Sequence, residues 1–120
     1  MKKSEFDYKP SLLEKEGDVV RINFDVEEVE KELPSVGDKE PIIRKIWEAY
    51  VVRVAEPITR SRIIDAIVNA GYPRDVMDAV INNYLLNQKD ADSKAAFNEM
   101  QEWRAKAKQV ADTVLSANEE

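Results

Sequence analysis

The stretch KIWEAYVVRVAEPITRSRIIDAIV, residues 45–68, decides the fold class because the spacing of its apolar residues changes partway along it. Its first ten residues are rich in aromatic and β-branched side chains and place apolar residues on both faces of a strand. Pro57 ends this pattern, and Thr59 or Ser61 can cap a helix. Apolar residues then recur at helical spacing, at Ile63, Ile64, Ile67 and Val68. The sequence therefore predicts a strand over 44–55 and a helix directly after it.

A second strand is predicted upstream, where GDVVRINFDV, residues 17–26, alternates between apolar and polar residues. One face carries Val20, Ile22, Phe24 and Val26, and the other carries Arg21, Asn23 and Asp25. This period of two is typical of a half-buried strand, here over 18–30. Residues 27–41 contain Gly and Pro turn signals, so we expect them to connect two antiparallel strands as a long hairpin loop. Residues 1–17 are expected to be a flexible or extended start.

Two further helices are predicted after the first. Gly71 ends the first helix, and we expect it to adopt a positive φ, since glycine best tolerates the left-handed turn after a helix. Pro73 opens the second helix, in which Asp75 suits the first turn. Its apolar stripe comprises Val76, Met77, Val80, Ile81, Tyr84 and Leu85. The "GYP" motif is therefore interpreted as a corner between two packed helices.

The third helix is predicted to begin near Asp92 or Ser93 and to be long. A seam of apolar residues spaced by three and four runs along it: Ala96, Met100, Trp103, Ala107, Val110 and Val114. Packing within the chain is favoured over a coiled coil with a partner, because two alanines make the seam a weak zipper. Should the helix face a partner instead, the candidate binding residues are Trp103, Arg104 and Met100.

These patterns together predict an α+β fold in which an N-terminal antiparallel β-hairpin or small sheet precedes three α-helices, the last one long. The chain of 120 residues is long enough for one domain with its own core, so residues 1–120 are expected to form a single domain. Within it, residues 18–55 would be the hairpin region and residues 58–117 the helical region.

The composition excludes several function classes. The chain has neither cysteine nor histidine, which excludes disulfides, thiolate nucleophiles and most zinc chemistry. No nucleophile-elbow, phosphate-loop or metalloprotease motif occurs, so we predict a protein that is not an enzyme and has no cofactor or metal. No apolar run approaches the roughly 18 residues of a membrane span. The start lacks the apolar core of a secretory signal, which predicts a cytoplasmic or virion-associated protein without membrane contact.

Five segments of the chain together resemble a group of small prophage proteins of Bacteroides-type gut bacteria. They are YKPSLLEKEGDVVRINFDVEEVEKE (8–32), WEAYVVRV (47–54), ITRSRIIDAIV (58–68), NNYL (82–85) and EWRAKAKQVADTVL (102–115). The resemblance implies a strand pair followed by helices and a place among phage structural or tail-assembly genes. EWRAKAK, through Trp103 and Arg104, is also similar to the C-terminal end of tail-fibre assembly proteins.

The resemblance and the exclusions lead to one main functional hypothesis and one rival. The main hypothesis is a non-enzymatic accessory of phage origin that binds another protein, either a tail or fibre component or a second copy of itself. The rival is a small cytoplasmic nucleic-acid-associated or regulatory protein that uses the helix-turn-helix-like segment 60–87, with a basic corner of Arg60, Arg62 and Arg74. The formal net charge of −6 disfavours the rival, because an acidic chain repels phosphates.

Overall fold

The computed structural model describes residues 1–33, 37 and 40–119, which form two compact units, Met1–Arg53 and Val54–Glu120. The fold is α+β, as predicted, with a four-stranded antiparallel sheet followed by three helices, the last one long. The strands are β1 (Ser4–Phe6), β2 (Leu13–Glu16), β3 (Val19–Leu33) and β4 (Ile42–Ala55). The helices are α1 (Arg60–Gly71), α2 (Arg74–Leu86) and α3 (Ala91–Glu119).

The sheet has the strand order β1-β4-β3-β2, so the predicted hairpin forms its centre. The two predicted strands are confirmed, and both are slightly longer than expected. Residues 27–33, expected to belong to the hairpin loop, are part of β3, and positions 34–36, 38 and 39 of that loop lie outside the described residues. The segment expected to be flexible or extended supplies both edge strands. β1 pairs antiparallel with β4, where Phe6 lies opposite Trp47, and β2 pairs antiparallel with β3, where Leu13 lies opposite Ile22. The short edge strands escaped the sequence analysis because they are too brief to show a period.

The predicted faces of β3 are correct for its apolar residues and wrong for one polar residue. Val20, Ile22 and Phe24 are buried, as the alternation predicts. Asn23, placed on the exposed face by the same alternation, is fully buried as well. Its side-chain Nδ2 donates to the carbonyl oxygen of Ser11 at 2.7 Å, and its backbone N–H donates to the carbonyl oxygen of Leu12 at 3.0 Å. The segment that leads into β2 therefore covers Asn23 and holds it through these hydrogen bonds.

In the helical unit, side-chain caps mark the starts of α1 and α3. The Thr59 hydroxyl accepts a hydrogen bond from the backbone N–H of Arg62 at 3.2 Å, which satisfies one free donor of the first turn. At α3, the Asp90 carboxylate accepts hydrogen bonds from the backbone N–H of Ser93 at 3.1 Å and from its hydroxyl at 2.7 Å. Both predicted helix starts are confirmed to within two residues.

The long helix α3 packs on α1 and α2 of its own chain, as predicted. Most of its seam is buried, namely Met100, Ala107, Val110 and Val114, together with Ala111. Two contacts show that α3 runs antiparallel to α1. Arg60 at the start of α1 forms an ion pair with Asp112 at 2.9 Å, and the Trp103 indole N–H donates to the carbonyl oxygen of Ile67 at 2.9 Å. Stacked rings of Tyr84 and Phe97, 4.2 Å apart, join α2 to α3.

The predicted apolar stripe of α2 is only half covered. None of its residues is buried, and Val76 and Leu85 are 44% and 62% exposed. The periodicity correctly predicts the helix but not its burial. α2 packs on α3, partly through the Tyr84–Phe97 stacking, and makes little contact with α1, so the expected packing of the first two helices on each other is wrong. Leu86, at the end of α2, is 84% exposed.

The backbone conformation of Gly71 differs from the prediction. Among the described residues, the glycines with positive φ are Gly17 and Gly37, so the positive φ expected for Gly71 is wrong. Gly71 is instead the last residue of α1, and Tyr72 caps the helix. The backbone N–H of Tyr72 donates to the carbonyl oxygen of Val68 at 2.7 Å. A Cβ on Gly71 would lie 2.5 Å from Nε1 and 2.7 Å from Cε2 of Trp103. Glycine is needed here because the indole packs against the backbone.

Candidate functional site

An open groove of about 320 Å³ lies among the three helices, beside the corner between α1 and α2. Each helix contributes side chains to it, so the site depends on the packing of the whole helical unit. The lining residues are Ile64, Asp65, Val68 and Asn69 of α1, Arg74, Met77 and Asp78 of α2, and Arg104 and Lys108 of α3. We name this surface the α-groove.

Three apolar side chains form part of the α-groove. Ile64 and Val68 are four residues apart on α1 and therefore lie on one face of that helix. Met77 joins them from α2. All three are partly exposed, in contrast to Ile63 and Ile67, which are fully buried in the helical unit. The apolar surface of the α-groove therefore remains in contact with water.

Charged side chains of both signs accompany this apolar surface. Arg104 and Lys108 are four residues apart on one face of α3, and Arg74 adds a third cation from the first turn of α2. Asp65 and Asp78 contribute two carboxylates. Cations therefore exceed carboxylates in the α-groove, whereas the whole chain has a formal net charge of −6.

The cations of the α-groove have no ion-pair partner among residues 1–33, 37 and 40–119. Arg104 donates only a long hydrogen bond, at 3.5 Å, to the side chain of Gln101. Several cations outside the α-groove, by contrast, are engaged in ion pairs. Arg60 pairs with Asp112, and in the sheet unit Lys31 pairs with Glu5 at 2.9 Å. The α-groove thus keeps unused hydrogen-bond donors next to exposed apolar side chains.

Trp103 and Gly71 fix the walls of the α-groove relative to each other. Trp103 lies one residue before Arg104 on α3, and its indole packs against the Gly71 backbone at the end of α1. The hydrogen bond from Nε1 to the Ile67 carbonyl oxygen ties the same indole to α1. We name the contact of the Trp103 indole with Gly71 and Ile67 the Trp103 clamp. A tryptophan buries a large apolar area, so this clamp contributes to helix packing as well as to the position of Arg104.

The corner residue Tyr72 has an unusual electrostatic environment. Partial burial raises the pKa of its phenol above the ordinary value of 10.0, and the nearby carboxylates of Glu99 and Glu102 raise it further. Burial disfavours the charged phenolate because it removes water from the charge, and the neighbouring carboxylates disfavour it because they carry the same negative charge. Both effects favour the neutral form of the Tyr72 phenol.

The structure separates the predicted basic corner. Arg60 pairs with Asp112, and Arg62 donates to the backbone carbonyl oxygens of Ala55 and Pro57 at 3.5 and 3.0 Å. Arg74 lies in the α-groove, past the opposite end of α1 from Arg60. Twelve helical residues span roughly 18 Å, so the three arginines do not form one compact patch.

The three candidate partner-binding residues also have different environments. Met100 is fully buried and Trp103 is partly buried in the clamp, so both belong to the packing of α3 on its own chain. Arg104 reaches the α-groove. The structure therefore combines one residue from each predicted set, Arg74 and Arg104, in a single site.

Lys108, Asp65 and Asp78 were missed as site residues. The sequence contains a partial signal for them, since Lys108 follows Arg104 by four residues and Asp78 follows Arg74 by four. Each pair was consistent with an ordinary solvated helix face. Only the packing of α1 and α2 on α3 brings the two pairs to one groove.

The described residues contain neither a cluster of potential metal ligands nor a helix that could cross a membrane. Nowhere in this part of the chain do three or more acidic residues converge as a metal site would require. Its helices include none with the length and apolar character needed to cross a bilayer. No family model, curated protein or solved structure matches the chain.

Proposed function

We propose that this chain is a non-enzymatic accessory protein that binds another protein through the α-groove. The observation that carries the proposal is a combination of partly exposed apolar side chains, Ile64, Val68 and Met77, with three cations that form no ion pair within the described part of the chain, Arg74, Arg104 and Lys108. Protein interfaces typically have an apolar centre with a polar rim, and arginine is enriched among the residues that dominate binding energy. The α-groove offers both features on a surface formed by three helices.

A protein partner fits the α-groove better than a nucleic acid does. Asp65 and Asp78 lie among the cations, and Asp75 occupies the first turn of α2. A helix that reads DNA uses its N-terminal residues to contact base edges in the major groove, where carboxylates are unfavourable because the surrounding phosphates make the groove negative. The separation of Arg60, Arg62 and Arg74 removes the compact basic patch that the rival hypothesis needs.

The partner that we propose is a component of a phage tail or fibre. This part of the proposal rests on the resemblance of the sequence to small prophage proteins and, through Trp103 and Arg104, to the ends of tail-fibre assembly proteins. The chain would act on that component as an assembly factor or remain in the virion.

Photo-cross-linking in the native host after phage induction tests the proposal. A photoreactive amino acid at position 108 lies in the α-groove, and the same amino acid at position 94 lies on an exposed part of α3 outside it. We expect position 108 to give a discrete cross-linked protein, identified by mass spectrometry as a phage structural component, and position 94 not to give it. A nuclease-sensitive product at position 108 would support the nucleic-acid alternative. Equal products at both positions would contradict a specific site.

A further inference from the structure

We infer that the α-groove selects a partner segment that places an apolar side chain next to carboxylates, an acidic-apolar peptide of the form Asp-Leu-Asp. This inference deepens the proposed function and rests on it, because it names the chemistry of the segment that the proposed partner inserts. Three features of the α-groove carry it: its size, its apolar residues and its unused cations.

The size and the apolar residues define the central side chain of the segment. A volume of about 320 Å³ is at the lower end of ligand pockets, which suits one large aliphatic side chain with its flanking backbone. Ile64 and Val68 offer branched side chains, and Met77 offers a flexible thioether that adapts to the shape of its neighbour. A leucine inserted here would remove its own surface and theirs from water.

The cations define the residues on either side. Arg104 and Lys108 lie on the α3 side of the α-groove and Arg74 on the α2 side, so carboxylates flanking a central leucine can reach cations on both sides. A carboxylate accepts bidentate hydrogen bonds from a guanidinium, and such charged hydrogen bonds are about twice as strong as neutral ones. Partial burial of Arg104 beside apolar side chains reduces screening by water and increases this attraction.

The two carboxylates of the α-groove do not remove its preference for an acidic segment over a basic one. Asp65 and Asp78 are both exposed, and neither pairs with a cation in the described residues, although three cations line the same groove. A basic segment would bring its cations towards Arg74, Arg104 and Lys108 and would be repelled by a majority of the charges. An acidic segment meets attraction at three positions and repulsion at two.

Titration of the full, ¹⁵N-labelled chain with acetyl-Asp-Leu-Asp-amide, followed by amide NMR shifts, tests the inference. Two matched peptides serve as controls, acetyl-Lys-Leu-Lys-amide for the charge and acetyl-Asp-Ser-Asp-amide for the apolar side chain. We expect saturable shifts at the backbone amides of Ile64, Val68 and Met77 with the first peptide. Both control peptides should bind more weakly by a factor of about ten at least, and a factor of ten corresponds to about 1.4 kcal/mol.

Variants of the protein distinguish binding in the α-groove from a general effect of the net charge of the protein. Arg104→Glu should weaken binding of the Asp-Leu-Asp peptide about tenfold or more. Lys94→Glu, which makes the same change in charge on an exposed part of α3, should leave the affinity unchanged. An amide spectrum of each variant that matches the wild type shows that the fold is intact, and Lys108→Glu replaces Arg104→Glu if the latter does not fold.

The outcomes distinguish this inference from the proposed function. If Lys-Leu-Lys binds the α-groove as tightly as Asp-Leu-Asp, or if no peptide gives saturable groove shifts at millimolar concentration, the acidic-apolar chemistry is wrong. The proposed function would still stand in either case if position 108 cross-links a phage protein. If Asp-Leu-Asp binds as expected but position 108 yields only a nucleic-acid product, the peptide chemistry holds and the proposed function is overturned.

Discussion

Gly71→Ala should destabilise the protein, although the same change inside an ordinary helix stabilises it. Alanine has the highest helix propensity, and replacing glycine within a helix typically gains about 1 kcal/mol. At position 71 the new Cβ would lie 2.5 Å from Nε1 and 2.7 Å from Cε2 of Trp103. Carbon atoms and their neighbours pack at about 3.5–4.0 Å, so the indole has to move by about 1 Å.

That movement has a calculable cost. The hydrogen bond from Trp103 Nε1 to the Ile67 carbonyl oxygen is 2.9 Å long, and a shift of about 1 Å takes it beyond hydrogen-bonding distance. Its loss costs about 1 kcal/mol, and forcing an extra methyl group into a packed contact costs about 1–3 kcal/mol. After subtraction of the gain in helix propensity, we expect a net destabilisation of about 2 kcal/mol.

Urea unfolding followed by circular dichroism measures this difference, and a double-mutant cycle assigns it to the indole. In a Trp103→Leu background the clash is absent, so Gly71→Ala should there be neutral or stabilising by about 0.5–1 kcal/mol. If Gly71→Ala raised the stability of the wild type, and did so equally in the Trp103→Leu background, the indole would not pack against Gly71. The clamp would then have no part in shaping the α-groove.

Two further predictions concern α3. Met100→Ala should destabilise the protein by about 2–5 kcal/mol because Met100 is fully buried. The melting temperature of the wild type and of the variant should not vary with protein concentration, and a concentration dependence would show that α3 packs between chains. Asp90→Ala should lower the melting temperature at pH 7 because hydrogen bonds from the side chain and backbone of Ser93 lower the Asp90 pKa below 3.8. The stabilisation by a carboxylate of lowered pKa is present above that ordinary value and disappears as the pH falls through the folded-state pKa. The difference between wild type and variant should therefore begin to shrink below about pH 4 and continue to shrink at lower pH. Asp90→Asn, which keeps a capping side chain, is the control, and a difference that stays constant down to pH 2 would contradict the assignment.

The elements of the fold were predictable because their signals are local. The period of two around Ile22 and Phe24, the helical spacing after Thr59 and the seam of α3 each fit within one element, and the structure confirms all three elements. Asn23 shows where this reasoning fails. Its burial depends on Ser11 and Leu12, more than ten residues away, and no pattern within β3 reports them.

The candidate site was only partly predictable, for a related reason. Gly71 was recognised as a corner residue, but its requirement comes from the Trp103 indole, 32 positions along the chain, and not from its own φ. Arg74 and Arg104 were each singled out, yet for different surfaces. Their meeting in the α-groove depends on the packing of both α1 and α2 on α3. The contacts Arg60–Asp112, Trp103–Ile67 and Tyr84–Phe97 hold this packing, and they join residues far apart in the sequence.

The affinity of the protein captured by cross-linking at position 108 for wild type, Arg104→Glu and Lys94→Glu tests most directly whether the α-groove is the binding surface. Titration calorimetry with the purified partner measures the three dissociation constants under the same salt conditions. Reversal of the Arg104 charge should raise the dissociation constant about tenfold or more, while the same reversal at Lys94 should leave it within about twofold. Equal affinity of all three proteins would contradict the assignment of the α-groove as the site where the partner binds.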